Sequence, residues 1–597
     1  MTPSLDLGVV GNCSFGALLD ARARIVWCCL PRFDGDPVFH SLLGRSDTTD
    51  EPRGLWEIEL LAFAHAEQRY EGNTAVLVTR LTDNDGNAVE IVDFAPRFTL
   101  HGRQFRPLTL VRCVRPVAGR PRIVVRLRPM FDHGRVRPLT THGSNHVRYV
   151  GPDATLRLTT DAPVSYVLAE TPFVLEEPAA FLLGPDETLG DSVATIARDF
   201  LERTLDHWRE WVRRLALPFE WQDAVIRAAI TLKLCLFEDT GAIVAALTTS
   251  IPEARGTTRN WDYRYCWLRD AFFVVRALNS LSDVDTMERY LRYLHNVALV
   301  DEAPRLQPVF GVALETSLVE REVDWLEGYR GHRPVRVGNQ AYEHFQHDVY
   351  GNAILAATQS FFDKRLLRPS GRTDFERYES IGERAFAVYD TPDAGMWELR
   401  SRSRVHTSSA LMCWAACDRL ARIAGHLGLD DRARLWQSRA AQVRATIDAH
   451  AWNPTIGSYA ESFGGSDVDA GLLLMLEVGY LGADDPRIVG TIAEVERRLR
   501  RGDHLLRYSA PDDFGTPTTA FNICTFWYID PLSRTGRRAE ARELFGRMLA
   551  CRNSLGLLSE DFETDSRELW GNYPQTYSLV GIINAAVRLS RSWDEVV

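Results

Sequence analysis

VATIARDFLERTLDHWREWVRRL, residues 193–215, is where the pattern of this 597-residue chain changes. Its apolar residues (Val193, Ile196, Phe200, Leu201, Leu205, Trp208, Val212) recur at steps of three and four, the spacing of one helix face. On the N-terminal side, short β-branched runs are separated by Gly, Pro and Asn-Asp turn signals: Arg24–Cys29, Thr74–Thr82, Ala88–Phe94, Thr109–Val114 and Arg122–Leu127. DNDGN at 83–87 joins two of them as a hairpin. With no helical crossovers between strands, an antiparallel sandwich follows. On the C-terminal side the segments near 220–237, 269–281, 284–298, 343–363, 373–389, 405–424, 430–450, 468–477, 487–501, 518–530, 536–552 and 575–592 read as helices. Long polar, aromatic-rich loops at 239–268, 302–342, 390–404 and 502–517 lie between them. Loops of that length inside a compact domain are usually functional. A helical barrel whose loops build a pocket at one end accounts for both features.

Composition narrows the function. Charged residues make up 25% and hydrophobic ones 45%, as in an ordinary soluble globular protein, and the length suggests two domains. A net charge of −11 argues against a nucleic-acid partner. The arginines are spread along helical segments such as 431–445 (DRARLWQSRAAQVRA), where they mark solvated faces. The first twenty residues carry acids and no basic region, and no segment reaches 18 apolar residues, so a cytoplasmic protein without a membrane segment is expected. Ten cysteines show no CxxC pair and no zinc spacing, and read as buried thiols. His344 and His347 are three apart, but no third ligand is evident, and neither a metal nor an organic cofactor is assigned.

The chemistry concentrates in RNWDYRYCWLRD, residues 259–270. Four aromatics and five charges in twelve residues suit a sugar: aromatic faces pack on pyranose C–H groups, and Asp and Arg match adjacent hydroxyls. Two further loops supply carboxylates. In DAGMWELR (393–400), Glu398 follows an indole, an environment expected to raise its pKa for general-acid work. In LLSEDFETDSRELWGNYPQ (557–575), Glu560 sits between Ser559 and Asp561, a setting expected to keep it ionised so that it activates water. Two carboxylates in opposed environments suit glycoside hydrolysis.

The order of RNWDYRYCWLRD, GYRGHRPVRVGNQAYEHFQHDVYGN (328–352), GMWELR and LLSEDFE…ELWGNYPQ, with the opening segment 7–43, resembles the family 15 glycoside hydrolases, the bacterial glucoamylase and trehalase-like group. The resemblance spans almost the whole chain. It implies a β-super-sandwich over 1–190, a linker helix over 191–215 and an (α/α)6 barrel over 216–597 that cleaves terminal α-linked glucose with inversion. It implies Glu398 as general acid and Glu560 as general base. Arg269 and Asp270 correspond to the pair gripping the terminal glucose, Tyr263 and Trp267 to aromatics of that subsite, and Arg507 in LLRYSAPDDFG (505–515) to a substrate-binding arginine. Trp397 and Trp570 are candidate pocket walls.

Three positions depart from the family pattern: Phe310 stands where a tyrosine is usual, His344 replaces one of two glutamines while Gln346 is kept, and Asn352 stands where an acid is expected. All three bear on the leaving-group side of the pocket. In the implied mechanism Glu398 protonates the glycosidic oxygen while Glu560 deprotonates water on the opposite face, which needs carboxyl groups roughly 6.5–9.5 Å apart. Two rivals are a sugar phosphorylase, which needs only the acid, and a non-catalytic sugar-binding relative; retention of Glu560 counts against both. The expected substrate is a short α-glucan, with trehalose as the alternative, and homo-oligomerisation is left open.

Overall fold

The structure is a computed structural model that describes residues 3–44, 52–298 and 305–596. Met1 and Thr2 of the first twenty residues and residues 302–304 of the 302–342 loop lie outside the described residues.

Up to Pro185 the described residues form two large antiparallel sheets and a small hairpin of Phe98–Leu100 with Arg103–Phe105. One holds seven strands, with Gly8–Gly11, Gly16–Leu19, Ile25–Leu30, Leu55–Leu60, Arg122–Arg128 and Phe173–Val174 paired in that order and Asp36–Phe39 added beside Ile25–Leu30. The other holds eight, running from Leu139–His142 at one edge through Ala179–Pro185, Leu110–Ala118 and Ala88–Phe94 to Phe63–Tyr70 at the other. The hairpin at 83–87 closes because the Asp83 carboxylate accepts from the backbone N–H of Asp85 and of Asn87, each at 2.9 Å. Alternate residues of the two sheets (Trp56, Ile58, Ile91, Val125, Leu158, Phe181) meet in one core.

Helix Val193–Arg213 follows, capped by the Ser192 hydroxyl, which accepts from the Thr195 N–H at 3.2 Å. Six further helices then touch in a closed ring: 268–280, 348–358, 407–426, the 470–477 turn, 522–534 and 576–589, the last packing back on the first. Helices 222–234, 284–298, 372–388, 430–450, 486–499 and 538–549 lie outside this ring. Their patterns show why. In 486–499 the buried residues Ile488, Ile492, Val495 and Leu499 make one stripe, whereas 576–589 is buried nearly all round. This is the (α/α)6 architecture. Helix 222–234 is buried on every side because the sandwich covers its outer face.

Several helix boundaries differ from the sequence reading: Leu236–Phe237 and Arg500–Arg501, read as helix ends, are extended and pair with Ala242–Ile243 and His504–Leu505. Residues 518–521 are not helical: Ala520–Phe521 is extended and pairs with Asp561–Phe562. The segment from 343 begins its α-helix only at Asp348, after the Asp393 carboxylate has accepted the His347 N–H at 2.8 Å. Among the described residues no helix is long and apolar enough to cross a membrane, and nine of the ten cysteines are buried, all of them free.

Candidate active site

The segments that precede the inner helices meet at one end of the ring and line a common cavity of about 100 Å³ that opens to solvent. RNWDYRYCWLRD is divided by its backbone. Asp262 and Arg264 turn inward as a fully buried bidentate pair, Nε to Oδ1 at 2.9 Å and Nη2 to Oδ2 at 2.7 Å. The sandwich completes this anchor, since Arg264 also donates to the Gly35 carbonyl at 2.9 Å. On the other side Trp261, Tyr263 and Trp267 face the cavity. Cys266–Trp267 pairs with Val309–Phe310, so Phe310 is buried in the wall behind and does not line the cavity.

Each candidate catalytic carboxylate is held by one of these aromatics. The Tyr263 hydroxyl donates to Glu560 Oε1 at 2.6 Å, and Trp267 Nε1 donates to Glu398 Oε1 at 2.7 Å. The two rings pack edge to face with centroids 5.4 Å apart. Glu398 stands on a tight turn with φ +59°, a left-handed conformation costing roughly 1–3 kcal/mol for a non-glycine residue. The turn is built over Gly395, where a Cβ would lie 2.8 Å from the His406 ring. Its neighbour Trp397 lines the cavity and donates Nε1 to Asp469 at 2.7 Å.

Glu560 is only 1% exposed. Burial, with Glu253 and Asp561 beside it, raises its pKa well above the ordinary glutamate value, against the opposing pull of Arg507 and Tyr263. The sequence reading of Glu560 as the carboxylate in the more polar setting is therefore corrected. Ser559 and Asp561 are also buried, and the Ser559 hydroxyl donates to the Asp561 carbonyl at 2.9 Å rather than facing solvent. Glu560 Oε2 has no hydrogen-bond partner among the described residues.

Arg269 Nη1 reaches Gln346 and Asp348, both at 3.1 Å, and Nη2 reaches Glu398 at 3.4 Å. Asp270 opens helix 268–280, and burial with Glu398 and Asp348 nearby raises its pKa to about 7 despite Arg269. Asp348 was missed in the sequence. It lies one turn before Asn352, whose Nδ2 donates to it at 3.0 Å. His344 lines the cavity while His347 lies behind it, and no cluster fit for a metal occurs among the described residues.

Arg507 lines the cavity and bridges Asp561 at 3.0 Å and Glu253 at 3.1 Å. Glu253, in IPEARGTTRN before the aromatic stretch, was not singled out either; its only sequence signal was membership of the long 239–268 loop. Trp570 does not line the cavity. It is fully buried behind Glu560, edge-on to Tyr329 at 5.8 Å, because its strand pairs with the one that carries Asp561.

Residues 221–587 match the family model described as glycosyl hydrolases family 15, and residues 3–171 match the trehalase-like N-terminal model. A trehalase of Thermoplasma volcanium is 29% identical over 98% of this chain and 93% of its own length. A trehalase of Mycolicibacterium smegmatis is 30% identical over 99% and 92%. A bacterial glucoamylase solved with acarbose superposes with a TM-score of 0.68 over 98% of this chain and 94% of that one, at 14% identity, a likeness of fold.

Proposed function

Because this chain belongs to the family 15 glycosyl hydrolases, we propose that it hydrolyses trehalose to glucose by inversion, with Glu398 as acid and Glu560 as base. The observation that carries the mechanism is that Tyr263 and Trp267, packed on one another, hold the two carboxylates on one cavity. Glu398 Oε1 receives N–H groups from Trp267 and Arg269, which leaves Oε2 to carry the acid proton toward the glycosidic oxygen. Glu560 Oε1 accepts from Tyr263, which leaves the unpartnered Oε2 to take a proton from the attacking water. Asp270 and Arg269, at the buried end, suit the outer hydroxyls of the glucose being cleaved.

Two findings favour trehalose over the short α-glucans expected first. Relatives named trehalase align along nearly the whole chain, and the half-exposed mouth of the cavity is narrowed by bonds between its walls. Arg259 pairs with Asp512, Arg400 pairs with Glu320 at 3.0 Å, and the backbone N–H of Arg400 donates to Asp513 at 2.6 Å. A short cup suits one departing glucose, whereas a longer chain needs an open groove.

The test is glucose release from trehalose, maltose, maltotriose, isomaltose and soluble starch, with and without phosphate, followed early by NMR. The expected result is the highest kcat/KM on trehalose, with one α- and one β-glucose formed per molecule. Release from maltotriose but not trehalose rejects the substrate; two α-glucose molecules reject inversion; glucose 1-phosphate formed only with phosphate favours a phosphorylase.

A further inference from the structure

The cavity has two unlike ends. Trp267, Asp270, Trp527 and Tyr577 form a buried end, while Trp261, Arg400, Asp512, Asp513 and Phe514 form a half-exposed mouth. A terminal glucose enters first and takes the closed end, so the departing sugar occupies the mouth.

One buried side chain contacts three residues that lead into the mouth: Trp261, Arg259 and Arg507. Glu253 is 4% exposed, yet it lines the cavity. Its Oε1 accepts from Trp261 Nε1 at 3.0 Å; its Oε2 lies 3.1 Å from Arg507 Nη2 and 3.5 Å from Arg259 Nη1. Each donor leads on to a further wall. Trp261 packs edge to face on Phe514 at 5.0 Å and lies under the Arg400 guanidinium at 4.6 Å. Arg259 continues to Asp512 and to the Gly515 carbonyl at 2.9 Å. Arg507 continues to Asp561, next to Glu560. The backbone of Glu253 is itself tied down: its N–H donates to the Arg259 carbonyl at 3.1 Å, and its carbonyl accepts from the Thr519 hydroxyl at 3.0 Å.

We propose that Glu253 is a specificity-determining residue that holds Trp261, Arg259 and Arg507 in the positions that receive the departing sugar. This rests on the disaccharide reading above and deepens it. Neutralising a buried carboxylate shared by two guanidinium groups removes one of the two anions that each holds, leaving Arg259 only Asp512 and Arg507 only Asp561, so the mouth rearranges while the buried end, which shares none of these bonds, keeps its geometry.

The test compares trehalose with α-D-glucosyl fluoride, which has no departing sugar. In the fluoride reaction the C1–F bond breaks, water oxygen bonds to C1, its proton passes to Glu560, and fluoride leaves with a hydrogen bond from Glu398. Glu253→Gln keeps an acceptor for Trp261 but removes the charge, and is expected to lose at least about tenfold more kcat/KM on trehalose than on the fluoride, chiefly through KM. Glu253→Asp, which restores the charge, is expected to recover part of the difference. Equal losses on both substrates, or none on trehalose, overturn the proposal. If Glu253→Gln fails to give a normal melting transition, Trp261→Phe removes only the indole donor and should show the same split at smaller size; equal losses there overturn it as well. A wild-type enzyme inactive on trehalose rejects the substrate reading instead, and whichever disaccharide it cleaves then replaces trehalose in the same comparison.

Discussion

Tyr263 and Trp267 each place one polar hydrogen on a carboxylate and leave the second oxygen of that carboxylate for chemistry. On the proposed roles, with Glu398 as acid and Glu560 as base in one displacement, Glu398→Gln and Glu560→Gln should each lower kcat by on the order of 10²–10⁴-fold with little change in melting temperature. Steady-state kinetics on trehalose checks this, and near-normal turnover in either variant removes that residue from its role. The pH profile carries a second expectation. A general base works only when deprotonated, so kcat/KM rises as pH climbs through the pKa of Glu560. Burial, Glu253 and Asp561 push that value up, and Asp561, held by Arg507 and Thr519, is itself pushed up to about 7 by burial. The acidic limb therefore lies above the ordinary glutamate value of 4.5 and belongs to the carboxylate cluster rather than to one group. A plateau that persists down to pH 4.5 would contradict it.

At the scale of elements, both carboxylates stand where the backbone turns sharply. Glu398 occupies the left-handed position of its own turn. Glu560 precedes the hairpin Asp561–Glu563/Glu568–Trp570, whose strands return the chain to Gly571 at φ +75°. A Cβ at Gly571 would meet the Glu560 Cβ at 2.6 Å. Gly571→Ala must therefore displace Glu560 or the hairpin, besides adding roughly 1–2 kcal/mol of left-handed strain. We expect kcat to fall by about 10- to 100-fold and the melting temperature to drop by a few degrees, since displacements near 1 Å can cost about 10² in rate. Kinetics and a thermal melt of this variant measure both. One of the extended pairs misread as helix, Ala520–Phe521, belongs to the same hairpin system. Its apolar residues fit either periodicity over so short a run, and only the partner strand at Asp561–Phe562 decides between them.

Across the whole molecule, the sandwich is part of the site's foundation. Gly35 and Cys29 receive Arg264, the Leu247 carbonyl accepts from Trp27 Nε1 at 2.7 Å, and a buried Arg97–Glu238 pair at 2.6 Å joins the two parts. Amino-acid order alone determined the change from strands to helices near 191, the positions of the twelve barrel segments and the four motifs, because apolar periodicity and turn chemistry are local properties of the chain. It also singled out Glu398, Glu560, Tyr263, Trp267, Arg269, Asp270, Trp397 and Arg507, which the structure brings onto one cavity. Tertiary structure alone decided the rest. Asp262 and Arg264 pair with each other rather than face a sugar. Trp570 packs behind the wall. Glu253 lines the cavity, Asp348 and Asp469 hold Arg269 and Trp397 from behind it, and Glu560 is buried. Each of these outcomes depends on partners distant in the chain, such as Trp267 with Glu398, 131 residues apart, and Tyr263 with Glu560, 297 apart. A carboxylate's environment is set by what folding packs around it, which its sequence neighbours do not reveal.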